Sequence, residues 1–73
     1  MDEAYIDLAN AIVLTAVDDY RKALKGLKCN PNNQNAISSR LNIERFFFAS
    51  WFEILTDLDP NYLVPRLKAE FGF

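Results

Sequence analysis

A run of apolar residues with helical spacing near the start of the chain limits its fold more than any other feature. At about 100° per residue, these side chains fall in one sector about 140° wide, and the charged residues lie opposite. We therefore predict one long amphipathic helix over residues 3–28. The sector contains Tyr5, Ile6, Ala9, Ile12, Val13, Ala16, Val17, Tyr20, Ala23, Leu24 and Leu27.

The segment Asn30-Pro31-Asn32-Asn33 is expected to end this helix. Proline disfavours helical geometry at Asn30, and asparagine suits both turns and helix N-caps. Because the turn is short, the second helix, which starts near Gln34, should fold back antiparallel to the first.

The second helix carries two apolar rows. One row contains Phe47 and the other Phe52, while Arg40 and Glu44, four residues apart, can pair between them. Two alternatives are open: the pair lies between two packing surfaces, or the helix breaks near Ala49. The sequence Ser50-Trp51-Phe52-Glu53 favours a break, since it has the pattern of a capping box.

A short C-terminal helix is predicted after Asp59-Pro60, because aspartate caps helices and proline suits their first turn. Pro65 lies where an intrahelical N–H would be needed, so we expect a kink or a restart near Val64 and an end near Glu70. The expected fold is therefore all-α: a single domain over residues 1–73, with a long N-terminal helix in an antiparallel hairpin and a short C-terminal helix.

Several residue types needed for catalysis or cofactor binding are absent or scarce. The chain has no histidine, one cysteine (Cys29) and two glycines, which disfavours acid–base catalysis, a cysteine-rich metal site and a phosphate-binding loop. Asp57 and Asp59 lack the further ligands that a cation site requires. We expect no enzymatic activity, no metal and no cofactor.

The densest aromatic cluster in the chain is the candidate protein-interaction site. Three consecutive phenylalanines span about 200° of a helix, so one face of a small bundle cannot bury them all. Two alternatives are open: the second helix is central and buried on most sides, or part of the cluster contacts a partner protein or a second copy. The candidate residues are Phe46, Phe48, Trp51 and Phe52.

A basic segment at the end of the first helix is the alternative site. Arg21, Lys22, Lys25 and Lys28 occur without an intervening acid and are a candidate nucleic-acid contact. The net charge of −2 and the lack of interleaved aromatic residues make nucleic acid the weaker interpretation, because basic residues also complement the dipole at a helix C-terminus.

The expected location is the cytoplasm. The first residues are acidic where a signal peptide would be basic, and a single cysteine is typical of a reducing compartment. The apolar stretches at residues 11–17 and 46–52 are shorter than the roughly 20 residues of a membrane span.

The chain resembles small helical proteins encoded by phages and mobile elements of Gram-positive bacteria. The resemblance rests on AIVL (11–14), DYRKAL (19–24), NP (30–31), ERFF (44–47) and SWFEILTD (50–57), and it departs from the pattern at Phe48 and Pro65. It implies no activity and no functional residues, but it does imply a setting in which such proteins bind host proteins, including CRISPR and other defence complexes. The expected function is thus a small protein-binding accessory module, such as a defence inhibitor, that forms a homodimer. The alternatives are nucleic-acid binding and a purely structural homo-oligomer.

Overall fold

Four helices and no strand make up residues 3–73 in the computed structural model, which describes the backbone of those residues and the side chains of residues 8–73. The all-α fold is confirmed. The helices are α1 (Glu3–Cys29), α2 (Gln34–Phe47), α3 (Ser50–Leu55) and α4 (Pro60–Glu70).

The predicted apolar stripe of α1 is its packing face. Ile12, at one edge of the sector, is 40 % exposed and lies outside the core, and Ala16 is half-buried. Tyr5 and Ile6, which are predicted for the same face, lie outside the described side chains. The buried members of the stripe are Ala9, Val13, Val17, Tyr20, Ala23, Leu24 and Leu27.

The antiparallel hairpin of α1 and α2 is confirmed by its contacts. Gly26 lies against Ala36, close enough that a Cβ on the glycine would be 3.3 Å from the alanine Cβ. Further from the turn, the ring centroids of Tyr20 and Phe47 are 5.5 Å apart. Asn33 caps α2, as expected for a turn asparagine, because its Oδ1 accepts the Ala36 N–H at 3.2 Å.

The break near Ala49 is present, but the capping box predicted for it is not. Ala49 is the N-cap of α3, without a side-chain cap, and Ser50 is already helical. In a continuous helix Phe47 and Phe52 would point about 140° apart. The extended backbone of Ala49 turns both rings into the core, with centroids 5.4 Å apart and no exposed area. Burial of two aromatic rings therefore accounts for the break better than capping does.

The last helix begins as predicted, and its Asp59 cap accepts the Asn61 N–H at 2.9 Å. Of the kink or restart predicted near Val64, the restart is wrong, since α4 runs without interruption through Pro65. The proline removes the N–H that would bond to the Asn61 carbonyl. Both residues are exposed, so water can satisfy that carbonyl and the helix tolerates the loss.

The core lies where α2, α3 and α4 meet the same face of α1. It is a cluster of buried side chains: Val13, Val17, Tyr20, Leu24, Phe47, Phe52, Val64 and Leu67. The whole structure measures 43 × 20 × 19 Å, and α1 runs along most of the long dimension. None of the helices formed by residues 3–73 is long and apolar enough to cross a membrane.

Candidate protein-interaction surface

The structure separates the four predicted interaction residues into two groups. Phe52 has no exposed area and packs in the core, so it is removed from the contact surface. Phe46 is half-buried, with its ring centroid 5.9 Å from that of Phe52. Phe48 and Trp51, in contrast, are 55 % and 68 % exposed. Of the four, only Phe48 and Trp51 are exposed.

Trp51 has exposed apolar side chains close to it in the chain. Ile54 follows Trp51 by three residues, so the two side chains lie on the same side of α3, and Ile54 is also well exposed. Phe48 lies three residues before Trp51, within about 11 Å along the chain. We call Phe48, Trp51 and Ile54 the Trp51 surface.

Further exposed apolar side chains continue from this surface in both directions along the chain. Leu41 precedes Phe48 by seven residues, which is two helical turns and therefore the same side of α2. Leu58 and Tyr62 follow α3 and are also half or more exposed.

Sequence reasoning missed Ile54, Leu58 and Tyr62 because short segments have no readable period. Leu8 and Leu14 are likewise exposed, and the helical periodicity of α1 could have predicted their exposure. Both lie outside the apolar sector of α1, where a large apolar residue has no core to enter.

The carboxylate of Glu44 connects three helices. The Tyr20 hydroxyl donates to Glu44 Oε1 at 2.7 Å, and Lys68 Nζ lies 3.4 Å from the same oxygen. The predicted Arg40–Glu44 pair is confirmed, with Nη1 donating to Oε1 at 3.2 Å. The pair therefore lies between packing surfaces even though the helix also breaks, so both sequence alternatives hold.

Burial and charge act in opposite directions on this cluster. Partial burial acts to raise the pKa of Glu44, but the Tyr20 hydrogen bond and the charges of Arg40 and Lys68 outweigh it and hold that pKa below its usual value. Burial, and then the hydrogen bond to Glu44, raise the pKa of the Tyr20 hydroxyl. Glu44 is therefore charged and Tyr20 protonated at neutral pH.

The free energy of unfolding should fall as Glu44 takes up a proton in acid. Its pKa is lower in the folded than in the unfolded chain, so its stabilising contribution is present above about pH 4.3 and is lost as the pH falls through the folded value. Urea unfolding at a series of pH values from neutral to about 2.5 measures this loss.

Glu44→Gln should flatten that pH dependence without abolishing it, because Arg21 also lowers the pKa of Glu70. Glu53→Gln is the matched control, since Glu53 is exposed and is in no ion pair within the described part of the chain. An equal slope for wild type and Glu44→Gln would contradict the role of the cluster.

The four basic residues of α1 do not form one free surface. Arg21 is paired with Glu70, with Nε donating to Oε2 at 2.9 Å and Nη2 to Oε1 at 3.1 Å. Lys22 and Lys28 line two different clefts, and Lys25 is exposed. A nucleic-acid contact at these residues stays a prediction, with Arg21 already committed to a carboxylate.

Comparison with known proteins gave no match to a protein family, to a curated protein or to a solved structure. Within the residues that the structure describes, no group of three or more histidine, cysteine, aspartate or glutamate side chains is placed to hold a metal ion. The geometry of the exposed side chains is therefore the basis for a functional argument.

Proposed function

We propose that this chain is a protein-binding module and that its partner binds at the Trp51 surface. The exposure of Trp51 carries the proposal. Tyr20, Phe47 and Phe52 are completely buried, so the core of this small protein accommodates three large aromatic rings. Trp51 lies next to Phe52 in sequence and remains 68 % exposed. Tryptophan is enriched among the residues that dominate binding energy at protein interfaces.

Burial of the Trp51 surface would supply only part of a stable contact. Covering what is exposed of Phe48, Trp51 and Ile54 is worth about 3–6 kcal/mol in all. Association itself costs about 4 kcal/mol or more. The contact therefore has to extend to neighbouring exposed side chains, and Leu58 and Tyr62 are available for it.

A second copy of the chain is the occupant we propose for the free protein. A twofold axis through the Trp51 surface would let one apolar patch cover its own copy, which removes it from water without any other protein. A symmetric homodimer is the simplest closed arrangement of this kind.

In its biological setting, the module would exchange the second copy for a host protein. The resemblance to small proteins of phages and mobile elements favours a component of a host defence complex, such as a CRISPR complex, and inhibition as the effect. A cytoplasmic location fits such a partner. This part of the proposal is supported by the resemblance and not by the geometry.

Light scattering of Phe48→Ser tests the proposed contact. The wild-type protein should have the mass of a dimer at high micromolar concentration, and the variant should have a lower mass with unchanged helicity, because Phe48 is outside the core. Leu14→Ser is the matched control: Leu14 is similarly exposed but lies on α1, away from the Trp51 surface in sequence, and its loss should leave the mass unchanged.

A wild-type monomer at all concentrations, together with unfolding of Phe48→Ser, would place Phe48 in the core and contradict the proposal. A dimer that no other protein can displace would instead support the alternative of a purely structural homo-oligomer.

A further inference from the structure

An open groove lies at the turn end of the hairpin, between α1, α2 and α4. Its volume is about 860 Å³, and it includes no residue of the Trp51 surface. Leu24 and Leu27, both buried, form the floor. Ile37 and Phe71 are half-buried at its sides, so the groove offers apolar area to a ligand.

The turn after α4 holds one wall of the groove in place. Gly72 has a φ of +80°, which a residue with a Cβ adopts only under strain. The Gly72 N–H donates to the Ala69 carbonyl at 3.2 Å and the Phe73 N–H to the Lys68 carbonyl at 3.0 Å. This is the Schellman pattern, and it places Phe73, still 58 % exposed, beside the groove.

Three cations line the groove, one from each helix: Lys28, Arg40 and Lys68. Glu44 holds Arg40 and Lys68 at 3.2 and 3.4 Å, so both are oriented before any ligand arrives. No carboxylate in the described part of the chain lies within ion-pair distance of Lys28, and none of the lining residues is acidic. Glu44 offsets one of the three positive charges, so the groove combines apolar walls with a net positive charge.

We infer that this groove binds an acidic, apolar peptide segment of a partner protein. Apolar side chains of the segment would cover Ile37, Phe71 and Phe73, and its carboxylates would pair with the cations. Such a segment matches the groove in both charge and polarity. The inference goes beyond the proposed function, because this groove and the Trp51 surface share no residue. Either proposal can therefore be wrong while the other is right.

The placement of the cations favours a peptide over two other anionic ligands. A fatty acid has one carboxylate, whereas Lys28, Arg40 and Lys68 come from three helices and suit several carboxylates spaced along a chain. Single-stranded nucleic acid binds by stacking on aromatic side chains. The floor of this groove is aliphatic and only two aromatic residues line it, which makes it a poor stacking platform.

Selection from a displayed random peptide library against the immobilised full chain tests the inference. Enriched peptides are synthesised with a fluorescent label, and their affinity is measured by anisotropy for wild type, Lys28→Glu, Lys25→Glu and Trp51→Ser. Lys25→Glu is the matched control, because it makes the same charge change at an exposed position of α1 that does not line the groove.

The enriched peptides should combine acidic with large apolar residues. Lys28→Glu should weaken them about tenfold, since it replaces an attraction with a repulsion, whereas the other two variants should change affinity by less than about threefold. Absence of enrichment, peptides without acids, or indifference to Lys28→Glu would overturn the inference. So would labelled oligothymidylate or laurate binding that Lys28→Glu abolishes, if no peptide binds.

Discussion

Phe52→Ala is expected to destabilise the protein by about 3–5 kcal/mol, whereas Trp51→Ala should change its stability by no more than about 0.5 kcal/mol. The two rings are adjacent in sequence, but Phe52 has no exposed area and packs edge-on against Phe46 and Phe47. Removing it leaves a cavity in the core. Removing Trp51 exposes little that was buried.

Phe52→Ala is thus expected to remove a large share of the free energy of unfolding. Domains are stable by about 0.05–0.15 kcal/mol per residue, or about 4–11 kcal/mol for a chain of this length. Urea unfolding followed by far-ultraviolet circular dichroism measures both variants, under conditions in which the wild type is monomeric. Equal losses of stability for Phe52→Ala and Trp51→Ala would mean that α3 does not pack through Phe52. Burial of Phe52 would then no longer explain the break at Ala49.

Leu24→Ala should cost about 2–4 kcal/mol and Val13→Ala about 1–3 kcal/mol. Leu24 is 1 % exposed and Val13 is 5 % exposed, so both side chains of the stripe are buried. Val13→Ala should cost less stability because it removes fewer buried carbon atoms than Leu24→Ala.

Lys25→Ala is the control for these variants, because Lys25 adjoins Leu24 and is exposed. It should change stability by no more than about 0.5 kcal/mol. If all three variants lost similar amounts in the same denaturant titration, the stripe would not be the buried face of α1.

The parts of the fold that depend on local chemistry were predictable from the sequence. The period of the stripe gave α1 its buried face, and the caps Asn33 and Asp59 act where their residue types predict. The break at Ala49 was predicted with the wrong cause. A capping box is a local pattern, whereas the observed cause is burial of Phe47 and Phe52, which depends on α1 being packed against both.

The candidate sites were less predictable, because they depend on contacts between distant residues. Tyr20 and Glu44 are 24 positions apart, and Lys68 is a further 24 positions on. The periodicity of a helix therefore cannot predict that Tyr20 and Lys68 contact the Glu44 carboxylate. The same holds for the groove between α1, α2 and α4, because it forms only where these three helices meet. Likewise, nothing local distinguishes buried Phe47 from exposed Phe48 until the phase of α2 against α1 is known.

Fluorescence of the only tryptophan, Trp51, tests the central claim most directly, because the claim is that association covers this side chain. At low concentration the emission maximum should be that of a solvated indole, and acrylamide should quench it efficiently. As the concentration rises, emission should shift to shorter wavelength and quenching should weaken, while Phe48→Ser should show neither change. A wild-type Trp51 that is shielded even at the lowest concentration, or solvated at every concentration, would contradict the claim.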